Sequence, residues 1–156
     1  MNIFVENHQL LLKSMLQHDV NFLLVGGYAV IFHGYKRTTG DMDLWIEPDN
    51  NNKLKLIKVL EEFGFDDDDI NHIAQLDFTK HLAFNFWEEP ERVDCITFLS
   101  NVSFKDAYHS KVTCDIEGLQ VPIIQYNHLI QSKITSDRLK DKADIEELQK
   151  INKFKK

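Results

Sequence analysis

Two aspartates separated by a single apolar residue, Asp41 and Asp43, are the residues of this sequence best suited to chemistry. Because side chains alternate between the two faces of a β-strand, both carboxylates of a strand that opens here point the same way, about 7 Å apart at the backbone. Two like charges at that spacing repel each other unless a cation lies between them. Mg²⁺ prefers carboxylate, phosphate and water oxygens as ligands. The aspartate pair therefore predicts a magnesium site.

A pair of glycines upstream, Gly26 and Gly27, separates two apolar runs. We interpret Phe22–Val25 as a buried strand and Tyr28–Phe32 as a short buried helix, with a tight turn between them. Free N–H groups at the start of a helix bind phosphate, and a residue without a side chain lets the phosphate approach the backbone closely. A phosphate-binding turn beside a metal-binding aspartate pair predicts chemistry on a nucleoside triphosphate.

The apolar-Gly-Gly motif at Val25–Gly27 and the Asp-apolar-Asp-apolar motif at Asp41–Leu44 together resemble the signature of a known superfamily. It is the nucleotidyltransferase superfamily related to DNA polymerase beta, and the chain is most similar to its small prokaryotic members, including relatives of AbiEii-type toxins. The resemblance implies an α/β (α+β) fold, in which a small mixed β-sheet is flanked by helices and followed by a helical C-terminal extension. It also implies transfer of a nucleoside monophosphate from an NTP to an acceptor hydroxyl, with release of pyrophosphate and with two Mg²⁺ ions as cofactors.

A further acidic residue, Asp94, lies inside the apolar run Val93–Ile96. A charge in an otherwise buried run is costly unless it is paired or bound to a metal. The family has a third carboxylate on a strand beside the aspartate pair, and Asp94 matches its apolar-acid-apolar setting. The resemblance therefore implies that Asp41, Asp43 and Asp94 are catalytic and hold the metal ions, with Asp94 taking the proton of the acceptor. An aspartate at a strand edge, paired with a lysine, is the alternative for Asp94.

The resemblance also implies which residues meet the nucleotide. In these enzymes a lysine or arginine of the C-terminal helices helps to hold the triphosphate, and helical spacing places Lys133 on an inward helix face. Thr38 and Thr39 could add hydrogen-bond donors, as could Arg37, although Arg37 could equally be an ordinary surface arginine. The predicted nucleotide-binding residues are Gly26, Gly27, Arg37, Thr38, Thr39 and Lys133.

The rest of the chain alternates between helical and strand patterns. Apolar residues at helical spacing predict amphipathic helices over residues 3–17 and 51–63, and two more near the C-terminus. Alternating apolar residues predict one hairpin from residues 81–86 and 92–99, and another from residues 111–116 and 119–124. The carboxylate run Asp66–Asp69 is typical of a solvated loop. Asp141 and Asp144 fall on the inward face of the last helix, either as an internal ion-pair network or as part of an active site.

Length and composition limit the remaining possibilities. The 156 residues, 43% of them apolar, predict one domain over residues 1–156, with a catalytic core at about 20–100 and a hairpin and helical part at about 101–156. No apolar run approaches the ~20 residues of a membrane span, and the N-terminus lacks the features of a signal peptide, so we expect a cytoplasmic protein with no membrane partner. The net charge of −7 argues against broad, non-specific binding to nucleic acid. Cys95 and Cys114 are isolated, which is typical of reduced structural thiols.

The sequence thus predicts a nucleotidyltransferase that binds an NTP and two Mg²⁺ ions. Its acceptor hydroxyl could belong to tRNA or another RNA, to a protein, or to a small molecule. The alternatives are a catalytically silent nucleotide-binding module and a toxin–antitoxin component that acts through a small partner protein. The presence of all three acids favours catalysis.

Overall fold

A mixed sheet of six strands forms the centre of the molecule, in the order β3-β4-β2-β1-β6-β5. The computed structural model describes residues 5–154. The strands are β1 Phe22–Val25, β2 Met42–Ile46, β3 Ala83–Phe86, β4 Val93–Ile96, β5 Val112–Ile116 and β6 Leu119–Ile123. The pairs β1–β2, β3–β4 and β5–β6 are antiparallel, whereas β2–β4 and β1–β6 are parallel.

Helices lie between and after these strands, which confirms the predicted mixed sheet flanked by helices. They are α1 Glu6–Gln17, α2 Gly26–Phe32, α3 Asn50–Glu62, α4 Asp67–Ala74, α5 Phe104–His109, α6 Tyr126–Lys133 and α7 Leu139–Phe154. Residues 3 and 4 of the first predicted helix lie outside the described residues. None of the helices in residues 5–154 has the length and apolarity that a membrane span requires.

The two central strands pack in the buried core, and this packing fixes the direction of the Asp43 side chain. All of β1 is buried, and in β2 the alternate residues Met42, Leu44 and Ile46 are fully buried in one core cluster with residues of α1 and α3. Side chains on a strand alternate between faces, so Asp43 points to the face opposite these three residues, and Trp45, which shares its face, is also buried. A shift of one residue in the register of β2 would exchange these two sets of side chains.

The hairpin β5–β6 completes the same sheet that carries the aspartates. Leu24 of β1 pairs with Ile123 of β6, and the Ile124 N–H donates to the Leu24 carbonyl at 3.1 Å. The parts of the chain before and after the predicted division at about residue 101 therefore both contribute strands to one continuous sheet. Sequence spacing located the hairpin, but it could not show that β6 lies beside β1.

The prediction of a loop at the carboxylate run Asp66–Asp69 was wrong. Asp66 is the N-cap of α4, where its side chain accepts the Asp69 N–H at 2.9 Å, and the following acids form the first helical turn. Carboxylates are favourable next to the unsatisfied N–H groups at a helix N-terminus. A charge run alone does not distinguish a loop from such a helix start.

A buried amide, Asn52, joins the ends of the two central strands to α3. Its Oδ1 accepts the Asn21 N–H at 2.8 Å, and its Nδ2 donates to the carbonyls of Asn21 at 2.9 Å and Glu47 at 3.3 Å. Asn21 directly precedes β1, and Glu47 directly follows β2. One side chain thus gives the Asn21 N–H its acceptor and adds a second donor to two carbonyls that each also accept a backbone N–H.

We expect Asn52→Asp to lower the free energy of unfolding by about 2–4 kcal/mol, because it places a charge against two carbonyl oxygens and removes both donors. Asn51→Asp is the matched control, since Asn51 is exposed in the same helical turn and should change stability by less than about 0.5 kcal/mol. Urea unfolding of the two variants measures the difference. Equal stability would show that the amide does not tie the strands together.

Candidate active site

The three predicted catalytic carboxylates come together at one cleft. Asp43 of β2 lies directly opposite Asp94 of the parallel strand β4, and Val25 at the end of β1 lies opposite Asp43 on the other side. Asp41 directly precedes β2 and shares the cleft with them. The cleft has a volume of about 510 Å³. Two adjacent strands therefore supply Asp43 and Asp94, and Asp41, where the sequence predicted the start of the strand, lies just before β2.

The glycine pair makes room for the side chains of this cleft. Gly26 has φ +65°, and a Cβ there would lie 2.7 Å from Cγ of Asp43. A Cβ on Gly27 would lie 2.8 Å from Cβ of Thr39. The Gly27 N–H also hydrogen-bonds to the Asp43 carboxylate. The turn is thus in direct contact with the acids, and larger residues at either glycine would displace the side chains that line the cleft.

The surroundings of Asp43 disfavour its charged form. Burial is the main cause that raises its pKa from 3.8 to about 6, and the negative charges of Asp94 and Asp41 raise it further. The positive charge of Lys140 and the Gly27 N–H act in the opposite direction but are weaker. Three carboxylates share a low-dielectric space, so this end of the sheet favours the binding of a cation.

The sequence prediction missed two side chains at the same cleft, Arg92 and Glu89. Arg92 donates to Asp94 Oδ1 through Nε at 3.1 Å and Nη2 at 3.0 Å, so the partner of Asp94 is an arginine of its own strand region and not a lysine. The Glu89 carboxyl hydrogen-bonds to that of Asp41, and this contact is the largest cause that raises the pKa of Glu89. The i, i+2 spacing of Arg92 and Asp94 could have indicated their contact, since such residues share a strand face.

The same cleft is also lined by cations from the segment before β2, the end of α6 and the start of α7, which we call its basic wall. Its cationic residues are Arg37, Lys133, Arg138 and Lys140. Lys140 is exposed and makes no ion pair within the part of the chain that the structure describes. Thr39 also lines the cleft, whereas Thr38 is exposed and lies outside the lining that residues 5–154 provide. The structure therefore brings together all the predicted nucleotide-binding residues except Thr38.

A buried ion-pair network holds this basic wall in place. Lys133 Nζ lies 2.7 Å from Asp141 Oδ1 and 3.3 Å from Asp144 Oδ2, and the Asp144 carboxylate also accepts Arg37 Nη2 at 3.1 Å. Burial alone would raise the pKa of Asp141, but hydrogen bonds from Arg138, Lys133 and Ser136 outweigh it and hold that pKa well below its usual range. Asp141 and Asp144 thus form an internal network that borders the cleft.

The donor set fits a divalent cation such as Mg²⁺. The carboxylates of Asp41, Asp43 and Asp94 are the hard oxygen donors that Mg²⁺ prefers, and the raised pKa of Asp43 shows charge that a cation would stabilise. Among residues 5–154, no three His, Cys, Asp or Glu side chains are already arranged to hold a metal ion.

Residues 2–155 match the model of a family described as a nucleotidyltransferase of unknown function (DUF6036). The chain belongs to this nucleotidyltransferase family. No curated protein matches the chain. The family match covers the glycine turn, all three acids and both C-terminal helices, so it includes every element of the cleft.

Solved structures of nucleotidyltransferases share the fold. The lincosamide antibiotic adenylyltransferase LnuA, solved with lincomycin, is 17% identical with a TM-score of 0.56, and the match covers 96% of this chain and 99% of that one. TM1012 of Thermotoga maritima, described as a candidate nucleotidyltransferase, is 11% identical with a TM-score of 0.57, over 97% and 94% of the chains. ANT(2")-Ia, solved with adenylyl-2"-tobramycin, is 15% identical with a TM-score of 0.58, over 94% and 91%. At these identities the likeness establishes the fold, and it agrees with the family assignment.

We expect Asp43→Asn to stabilise the metal-free protein at about pH 7.5 by on the order of 1 kcal/mol, after allowance for partial exposure of the carboxyl. Folding raises the pKa of Asp43 from 3.8 to about 6, so the folded protein holds this proton more tightly and the stability of the wild type falls as pH rises between those values. The advantage of the variant should therefore disappear below about pH 4.

Thermal unfolding of both proteins across this pH range measures the difference. Glu61→Gln is the control, because it removes one negative charge from an exposed position on α3. A stabilisation that does not change with pH, or that the control reproduces, would contradict the assignment of the strain to Asp43.

Proposed function

We propose that this protein is a metal-dependent nucleotidyltransferase that moves a nucleoside monophosphate from an NTP to an acceptor hydroxyl. The observation that carries the proposal is the division of charge across one cleft. Asp41, Asp43 and Asp94 form an acidic wall at β2 and β4, and the basic wall consists of Arg37 before β2 and of Lys133, Arg138 and Lys140 at α6 and α7. A triphosphate with its metal ions carries both signs of charge and would fit between these walls.

The proposed mechanism relies on position and charge. Two Mg²⁺ ions, when bound, would stabilise the attacking and leaving oxygens of an in-line displacement. Asp41 and Asp43, at the start of β2, would hold both ions. Asp94 would bind on the acceptor side and take the proton of the attacking hydroxyl. The bond from the α-phosphorus to the bridging oxygen breaks as the new ester bond forms, and pyrophosphate leaves.

In this proposal the nucleotide phosphates lie between the glycine turn and the basic wall. Gly26 and Gly27 let the phosphates approach the backbone, and Thr39 supplies a further donor from the segment before β2. Arg37 and Lys133 face the cleft but are already paired with buried carboxylates. Their charge would act on the triphosphate at short range while they keep the wall in place. Lys140, which has no such pair within residues 5–154, would contact the outer phosphates directly.

We propose a small hydroxylated molecule as the acceptor. LnuA was solved with lincomycin, and ANT(2")-Ia was solved with an adenylylated tobramycin, so the same fold carries small acceptors in those proteins. A net charge of −7 and an acidic acceptor side of the cleft, with Glu89 beside Asp41, oppose a polyanionic acceptor such as tRNA. The three acids in one cleft support catalysis over a silent nucleotide-binding module.

The direct test is incubation with each NTP labelled at the α-phosphate, with Mg²⁺, and with separate pools of small metabolites and antibiotics, total RNA, and protein. We expect label in a small-molecule product together with release of pyrophosphate. Asp43→Asn should reduce the rate by about a thousandfold or more, because it removes a ligand on which both metal ions depend. Label in the RNA or protein pool would replace the proposed acceptor class. A folded wild-type protein that binds NTP but labels no pool would favour the silent module.

A separate prediction concerns the contact with the outer phosphates. We expect Lys140→Ala to raise the NTP dissociation constant by about fivefold to tenfold, the effect of losing one charge-assisted contact, with a smaller effect on NMP. Lys142→Ala is the matched control, since Lys142 is exposed on the same helix and does not line the cleft formed by residues 5–154. Isothermal titration calorimetry measures both ligands.

Lys133→Ala should behave differently from Lys140→Ala. It leaves Asp141 and Asp144 buried with one cation fewer, so the fold itself should lose about 3 kcal/mol or more of stability in addition to any loss of NTP affinity. Equal NTP affinity in wild type and Lys140→Ala would show that the triphosphate does not lie against the start of α7.

A further inference from the structure

The connection between β3 and β4 places two side chains on the carboxylates of the proposed metal site. Arg92, at the end of this connection, binds Asp94 through two nitrogens, with contacts of 3.0 and 3.1 Å to Oδ1 and 3.3 Å to Oδ2. Glu89, three residues earlier, hydrogen-bonds to Asp41. Both contacts use oxygen atoms that a metal ion would need as ligands.

These two contacts are not equivalent in charge. Within residues 5–154, Arg92 is the one cationic side chain that pairs directly with any of the three carboxylates. It offsets part of the repulsion that Asp94 exerts on Asp43. Glu89 adds a further negative group beside Asp41, so it needs either a proton or a cation of its own.

Both side chains are in contact with solvent. The Arg92 side chain is 41% exposed, and Glu89 is exposed at the rim of the cleft. Such partly solvated ion pairs contribute little stability, so breaking one costs little. The charge of Arg92 already acts on Glu89, which shows that the two groups lie near each other.

We propose that Arg92 and Glu89 are positioning residues that exchange partners when a divalent cation enters the cleft. Arg92 leaves Asp94, Glu89 leaves Asp41, and the two then pair with each other across three residues of the same connection. The carboxylates become free to bind the cation, and no charge of either side chain is left without a partner. This inference rests on the proposed metal-dependent function, since it concerns how the same site fills.

The proposal predicts that the effect of Glu89 on metal affinity depends on Arg92. With Arg92 present, Glu89→Gln removes the group that receives the guanidinium, so Arg92 stays on Asp94 and metal binding weakens by about fivefold. Arg92→Gln removes the competitor and strengthens metal binding by about fivefold. In the Arg92→Gln background, Glu89→Gln should change the affinity by less than about twofold.

Mn²⁺ is the probe for this cycle, and the loss of its free signal in electron paramagnetic resonance gives the affinity without any assay of activity. Glu88→Gln is the matched control, because it is exposed on the same connection and does not line the cleft formed by residues 5–154. It should leave Mn²⁺ affinity unchanged in either background. As a second readout, the Arg92 Nε–H resonance, identified by its absence in Arg92→Gln, should shift when Mg²⁺ is added to the wild type and should shift much less in Glu89→Gln.

Two results would overturn the exchange and leave the proposed function intact. One is an equal loss of Mn²⁺ affinity on Glu89→Gln in both backgrounds, which would indicate a bulk charge effect. The other is an Arg92 resonance that does not move although Mg²⁺ binds. If wild type and all variants fail to bind Mn²⁺, both the exchange and the metal dependence of the proposed function are wrong.

Discussion

The parallel pairing of β2 with β4 places Asp43 and Asp94 side by side, so their negative charges repel each other. Much of the arrangement of the site follows from this repulsion. The sheet is backed by the main core, so its strands cannot slide apart to separate the charges. The surrounding residues must accommodate them. Gly26 leaves space for the Asp43 side chain, and Arg92 neutralises Asp94. Burial is the main cause that raises the pKa of Asp43, and the charges of Asp94 and Asp41 raise it further.

The buried ion pairs around Lys133 hold the cations of the basic wall away from the three acids. A cation that reached Asp43 would neutralise it and fill the cleft. Asp141 and Asp144 engage Lys133, Arg138 and Arg37 instead. Buried ion pairs often contribute little net stability because desolvation offsets their attraction. In this fold their value lies in geometry, since they fix α7 against the segment before β2 with opposite charges on opposing walls.

The sequence was sufficient for features that depend on local periodicity. Alternation along the strand predicted that Asp43 points to the face opposite Met42 and Leu44, although β2 begins at Met42 and not at Asp41, and the glycine pair predicted the strand-to-helix turn. Features that depend on side-chain rotamers, or on contacts between residues far apart in the chain, could not be predicted from the sequence. Nothing local shows that Glu89 reaches Asp41 from another strand connection. The acids Asp66–Asp69 were misread because one N-cap hydrogen bond, invisible in the composition, turns them into a helix start.

The two walls also explain why Lys140 has no partner in the described chain even though acids lie nearby. Its charge lowers the pKa of Asp43 from across the cleft, yet the two groups form no ion pair. If they met directly, the attraction would close the cleft and leave no room for a ligand. Because Lys140 and Asp43 are held apart, the charge of each remains available to a ligand group of the opposite sign. A metal-bound triphosphate satisfies both at once, because its cations face the acids and its outer phosphates face the lysine. The separation of charge that leaves Asp43 strained in the free protein is therefore the same feature that would make binding of metal and nucleotide mutually dependent.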